Sequence, residues 1–206
     1  MSTSFQIQVA TYLPESYSNG PGCRAVLWVQ GCPKRCSGCW NPDFLSFKGG
    51  TVWTVAQALE KLTQSDAIEG ITLLGGEPFS QAEPLSNLCA EIRQHGLSVM
   101  AYSGWTLTEL TRMGSPQTDL LACCDLLVDG EFVAESEASL LWRGSYNQQI
   151  HFLTERYAQW RSQVNNYHRD FEILIQDEQL ILTGDPPAAV LQMLQGLLPQ
   201  GEWQMR

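Results

Sequence analysis

Three cysteines stand close together in the stretch Gln30 to Asn41, QGCPKRCSGCWN: Cys32, Cys36 and Cys39, at C-x3-C-x2-C spacing. Thiolate sulfur is the usual protein ligand of an iron–sulfur cluster, and a 4Fe–4S cube normally takes four such ligands. Three ligands from one loop would leave one iron without a protein ligand. An open coordination position is the mark of a catalytic rather than a structural metal site. Such an iron can chelate an amino group together with a carboxylate, the bidentate handle of S-adenosylmethionine. Two other readings stand beside this one. The three cysteines could join a fourth, with Cys23 the nearest, to hold structural zinc, although zinc sites more often show two separated ligand pairs. They could also be ordinary buried thiols.

A second stretch, Gly75-Gly76-Glu77-Pro78, follows the apolar run Gly70 to Leu74. A glycine pair after a strand is often only a tight turn. Beside a cysteine loop, the freed backbone groups and the Glu77 carboxylate could hold the methionyl amino group of the same ligand. A carboxylate suits a cation, and both a sulfonium and an ammonium are positive. Glu77 could equally cap the helix that follows. His95, His151 and His168 fall in no metal-spaced motif and read as surface or structural residues. Cys89 fits a buried helix face and Cys123-Cys124 precedes a strand, so no chemistry is assigned to them.

The elements that must position these residues alternate. Phe5 to Thr11 reads as a half-buried strand, stopped by the turn cluster Asn19-Gly20-Pro21-Gly22. Arg24 to Gln30 has the near-continuous apolar middle of a buried parallel strand and runs straight into the cysteine loop. Thr54 to Leu62 is helical with Thr54 as N-cap, Gly70 to Leu74 a strand, Pro84 to His95 a helix and Leu97 to Tyr102 a strand. Thr106 to Met113 is a helix capped by Thr106 with Glu109, and Asp125 to Val128 is a short buried strand. This alternation predicts an α/β fold with a mostly parallel sheet or partial barrel, its site at the carboxyl ends of the strands. Leu141 to Gln149 reads as a polar loop, Ile150 to Arg169 as a helical, insertion-like segment, Phe171 to Ile175 with Gln179 to Leu182 as a hairpin, and Ala188 to Leu198 as a closing helix.

The bulk composition narrows the class. A chain of 206 residues with 44% hydrophobic content suits one packed domain, residues 1–206, and no linker or repeat divides it. Twelve basic against 22 acidic residues, net −10, argue against a grip on nucleic acid. No apolar run is long enough to span a membrane, and the first residues lack the pattern of a secretory signal. An odd count of 7 cysteines, three of them in one loop, suits a reducing cytoplasm with metal chemistry better than a disulfide framework.

Cys32-x3-Cys36-x2-Cys39 with Trp40-Asn41-Pro42, followed by Gly75-Gly76-Glu77-Pro78-Phe79-Ser80-Gln81, resembles the radical SAM superfamily, and within it the activating enzymes of glycyl-radical proteins. Many radical SAM proteins carry an aromatic before the third cysteine. Here Gly38 precedes it and Trp40 follows, the activating branch's own variant. Asn19 to Arg24, Tyr102-Ser103-Gly104-Trp105, Asp125 to Phe132 and Arg143 to Gln148 are similar to one branch, the activators of anaerobic ribonucleotide reductase.

The resemblance implies a partial (β/α) barrel of the radical SAM type, with a core of about 19–185; the insertion-like segment at 150–169 departs from it. It implies a 4Fe–4S cluster on Cys32, Cys36 and Cys39, and S-adenosylmethionine held by Gly75, Gly76 and Glu77. Ser103 and Asp129 would lie near the ribose or the methionyl carboxylate, although Asp129 could equally cap a turn. Reductive cleavage would give methionine and a 5′-deoxyadenosyl radical that takes a hydrogen atom from a glycine of a partner protein. The implied electron donor is a flavodoxin or ferredoxin. A radical enzyme acting on a small molecule, and a metal-bearing interaction module without turnover, are the alternatives.

Overall fold

A computed structural model describes residues 5–165, 170–176, 179–197 and 203–205. Strand β1 (Gln6–Ser16) runs antiparallel to β2 (Arg24–Val29), and β3 (Thr51–Thr54) pairs with the outer side of β1. Next to β2 lie β4 (Gly70–Gly75), β5 (Ser98–Ser103) and β6 (Leu126–Asp129), all parallel to it. At the far edge β9 (Gln149–Phe152) pairs antiparallel with β6, giving a seven-stranded sheet in the order β3-β1-β2-β4-β5-β6-β9. The predicted parallel strands are there, but antiparallel strands flank them on both sides and the sheet is open. Among the described residues nothing bridges β3 to β9 to close a barrel.

Both faces of the central strands are covered, which is why β2 reads as an unbroken apolar run with all six residues buried. Ala25, Leu27 and Val29 turn towards the helices; Val26 and Trp28 turn the other way. On the first face lie α1 (Val55–Leu62), α2 (Ala82–Gln94), α3 (Leu107–Arg112) and α4 (Gln117–Cys123). Thr54 and Thr106 start α1 and α3 through complete capping boxes with Gln57 and Glu109. Helix α2 buries Leu85, Leu88, Cys89 and Ile92 at helical spacing.

The second face is covered by irregular chain. The hairpin β7 (Glu137–Leu140) and β8 (Arg143–Ser145) occupies the start of the stretch that reads as a polar loop. No helix follows from 150 to 165: β9 completes the sheet and a short 3-10 turn spans Ala158–Trp160. Its aromatics are core residues, since Tyr157 and Trp160 pack with Met100, Leu126, Val128 and Trp142. Residues 166–169, with Tyr167 and His168, lie outside the described residues. The predicted hairpin forms from β10 (Phe171–Gln176) and β11 (Gln179–Gly184); α5 (Ala188–Leu197) and β12 (Trp203–Met205), parallel to β11, complete the elements among the described residues.

Candidate functional site

The cysteine loop begins where β2 ends. Val29 faces Gly75 in register, and the chain is pinned beyond it by Gly31 N–H donating to the Phe44 carbonyl at 2.8 Å and Cys32 N–H to that of Leu45 at 3.1 Å. The Arg35 guanidinium donates to the Cys32 carbonyl at 2.8 Å, and Cys39 N–H to the Cys36 carbonyl at 3.2 Å. Cys32 is buried; Cys36 and Cys39 are half-buried. Opposite them, the Lys34 ammonium pairs with Glu131 Oε1 at 2.7 Å, and the Cys36 sulfur lies 3.8 Å from Glu131 Oε2.

The turn after β4 packs directly on this loop. Gly76 N–H donates to the Val29 carbonyl at 2.8 Å and Glu77 N–H to the Gly31 carbonyl at 2.9 Å. A Cβ on Gly76 would collide with the Gly31 carbonyl oxygen, and Gly75 holds φ +101, a left-handed conformation suited to glycine. Glu77 is 1% exposed. The cap that the sequence left open is realised: Oε1 accepts from Phe79 N–H at 3.0 Å, at the start of the 3-10 turn Pro78–Gln81. The same carboxylate reaches across to the loop after β5, accepting from Ser103 Oγ at 3.1 Å and Gly104 N–H at 2.7 Å. Burial pushes its carboxyl up to about 7 against those three hydrogen bonds.

Cys32, Cys36, Cys39, Gly75, Gly76, Glu77 and Ser103 all line one pocket of about 240 Å³, on the face of the sheet opposite the helices. Trp28, Leu74 and Tyr102 form its apolar floor, and Lys34 and Arg143 also line it. Asp129 does not. Its carboxylate turns behind the pocket, accepting from Leu107 N–H at the start of α3, with His151 Nε2 2.9 Å away; its neighbour Gly130 is in the lining. Composition and spacing missed Lys34 and Glu131, although Lys34 sits between the first two cysteines. They also missed Gly184, which ends β11, and Asp170 and Asp185 beside it, which line the same pocket.

The donor set discriminates between the metal readings. Cys23, buried at the head of β2, is separated from Cys32 by a six-residue strand, roughly 20 Å of rise, and cannot share its metal. Among the described residues no three His, Cys, Asp or Glu side chains converge as a single ion requires. A cube takes each thiolate at a different corner, so its donors stand apart. Three soft sulfur donors on one loop, facing a glycine-lined cavity, fit a cluster better than one zinc ion. Burial pushes the Cys32 thiol up to about 11, with a hydrogen bond from the Lys34 backbone pulling the other way, so ligation there must displace a proton.

A cysteine loop at the carboxyl edge of parallel strands, over a glycine-lined pocket, defines a cluster-binding α/β protein. Residues 18–151 match the family described as a 4Fe-4S single cluster domain. The anaerobic ribonucleoside-triphosphate reductase-activating protein of Escherichia coli K12 is 34% identical over 151 residues, covering 69% of this chain and 96% of that protein. Its counterpart from phage T4 is 32% identical over 144 residues, 66% of this chain and 88% of its own length. That of Haemophilus influenzae is 33% identical over 149 residues, 68% and 94% respectively. The chain belongs to the 4Fe-4S single cluster family and, within it, to the activating proteins of anaerobic ribonucleoside-triphosphate reductase.

Proposed function

We propose that this protein is a radical SAM activating enzyme that generates a glycyl radical on a partner, an anaerobic ribonucleoside-triphosphate reductase. The observation that carries this reading is the meeting of Cys32, Cys36 and Cys39 with Gly75 and Gly76 in one pocket at the ends of parallel strands. When bound, the reduced cluster supplies one electron that splits S-adenosylmethionine into methionine and an adenosyl radical able to take a hydrogen atom from a glycine α-carbon.

The chain's own residues do the rest. Cys32, Cys36 and Cys39 are the ligands of the cluster, each giving up a proton. Gly75 and Gly76 bring bare backbone to the methionyl end of the ligand. Glu77 supports that end by tying the turn after β4 to Ser103 and Gly104. Ser103 contributes a hydroxyl to the pocket wall, while Asp129 acts from behind it by holding α3 and so orienting Gly130. Trp28, Leu74 and Tyr102 keep water from the reacting carbon. The strands around the pocket serve the role of a partial barrel. A small flavodoxin- or ferredoxin-type carrier in a reducing cytoplasm would supply the electron.

The test uses protein reconstituted without oxygen and mixed with dithionite and S-adenosylmethionine. Wild type should form 5′-deoxyadenosine and, with the partner reductase, a glycyl signal in electron paramagnetic resonance. Cys36→Ala should lose both the cluster and the product, while Glu77→Ala should keep iron and sulfide but cleave the ligand more slowly. Turnover that is indifferent to the reductase would point to a small-molecule substrate. Zinc without sulfide would overturn the reading altogether.

A further inference from the structure

The family match ends at residue 151, yet β10 and β11 lie beyond it, and the end where Phe171 pairs with Gly184 reaches the pocket. Asp170, Gly184 and Asp185 line it alongside Ser18, Asn19 and the cysteine loop. The junction between this C-terminal hairpin and the rest of the fold centres on one carboxylate. Glu172 of β10 accepts from the Ser16 hydroxyl, from Tyr17 N–H at 2.9 Å, and from both N–H and Oγ of Ser18 at 3.0 and 2.9 Å. Beside it, Asn19 Nδ2 donates to Thr183 Oγ1 at 2.9 Å and to Ser16 Oγ at 2.8 Å. A Cβ on Gly184 would collide with the Asp170 carbonyl oxygen and press to 3.0 Å from Ser18 Cβ, so the corner of the hairpin sits close against the same loop.

Two properties make this more than an incidental contact. A carboxylate that accepts from two backbone N–H groups and two hydroxyls makes charge-assisted hydrogen bonds, the strong class. Burial opposes ionisation of Glu172, but the hydrogen bonds from Ser16, Tyr17 and Ser18 outweigh it and hold its carboxyl below the ordinary glutamate range. The residues it fixes are also the pocket wall: Ser18 donates two of those bonds and lines the cavity, as does Asn19 next to it. The hairpin brings further acidic groups, Asp170 and Asp185, to the lining. Together with Glu77 these carboxyl groups outnumber the cations Lys34 and Arg143 of the same lining, a balance that favours a cationic occupant.

We propose that the β10–β11 hairpin is a built-in wall of the ligand pocket, with Glu172 as the positioning residue that docks it. Its ligand is the sulfonium-bearing adenosyl cosubstrate of the proposed function, on which this inference rests. Glu172 touches no ligand itself; it sets where Ser18, Asn19, Asp170 and Asp185 stand.

The experiment measures S-adenosylmethionine binding by equilibrium dialysis on full-length, anaerobically reconstituted protein, together with iron and sulfide content. Glu172→Ala should weaken binding about tenfold, the worth of a lost charge-assisted junction, at unchanged cluster content. Glu172→Gln keeps one acceptor oxygen and should recover part of the loss. In wild type, hydrogen exchange should show the amides of β10 and β11 slowed by the ligand, a response that holds whether or not the alanine variant folds. Wild-type affinity in Glu172→Ala, or β10–β11 amides indifferent to the ligand in wild type, overturns the wall while leaving the proposed function standing. Wild type that holds its cluster and binds no S-adenosylmethionine overturns both.

Discussion

At the scale of single residues, Glu77 is the group whose state the fold alters most usefully. Its carboxyl is buried and pushed up to about 7, whereas glutamate in an unfolded chain titrates near 4.3. Between those values the folded protein binds a proton that the unfolded chain has released, so stability falls as pH rises through that window. A shift of this size corresponds to roughly 3–4 kcal/mol. Denaturant melts of the cluster-free protein should therefore show stability declining from about pH 4 to about pH 7, and Glu77→Gln should flatten the decline. A profile that is equally steep in the variant would assign the effect to another group. The same property predicts proton release when a cation enters the pocket just below neutrality, because a positive ligand draws the carboxyl towards ionisation. Calorimetry in buffers of different ionisation heat reads that proton directly. The cysteine triplet stood out by its spacing, whereas the glycine pair drew notice only beside it; the fold brings both to one pocket. The threefold use of the Glu77 carboxylate was not legible, because Ser103 and Gly104 meet it only through the strand order.

At the scale of elements, the strands are tied together at both ends. At the end away from the cysteine loop, the fully buried Arg24 guanidinium donates to Thr72 Oγ1 at 2.7 Å, Ser98 Oγ at 3.0 Å, Tyr157 Oη at 3.1 Å and the carbonyls of Pro21 and Ile71. These acceptors come from β4, β5 and the loops around them, and all are neutral oxygens. Arg24→Ala leaves a cavity and several unmet acceptors, with an expected loss on the order of 4 kcal/mol in denaturant melts. Arg24→Lys should recover little, because an ammonium cannot reproduce the five-donor fork. Recovery to near wild type would mean that charge rather than geometry matters there. Tyr157 in this network explains why the segment from Ile150 was misread. Its aromatics and charges suggest an amphipathic helix, but the aromatics are spent on the sheet's second face and on Arg24. The central parallel strands were legible because burial on both faces writes an unbroken apolar run. The short strands β3, β7, β8 and β9 were not, since three or four residues carry too little periodicity and their pairing depends on distant partners. The open edges follow from those strands, which no local pattern announces.

At the scale of the whole molecule, the sheet divides labour between its faces. One face meets the helices in the larger core, with Leu85, Leu88 and Ile92 of α2 against Leu27, Ile71 and Leu73. The other meets irregular chain and the pocket, with Trp28 packed against Leu13, Phe44 and Ile181 while also lining the cavity. Stability and ligand binding should then separate by face. Leu88→Ala removes a fully buried side chain far from the pocket lining and should cost about 2–5 kcal/mol. Measured well below its melting temperature, that variant should bind S-adenosylmethionine as wild type does. Trp28→Leu keeps an apolar group in place and should cost less stability, about 1–3 kcal/mol, yet weaken the ligand because it removes part of the cavity floor. The order of the two variants in thermal melts should therefore be the reverse of their order in equilibrium dialysis. A matching order would mean that the two cores move as one unit, with the helix layer shaping the pocket through the strands. The reversed order would place the tolerance for change on the helical side, leaving the irregular side, where β10 and β11 reach the pocket, as the face that shapes the ligand site.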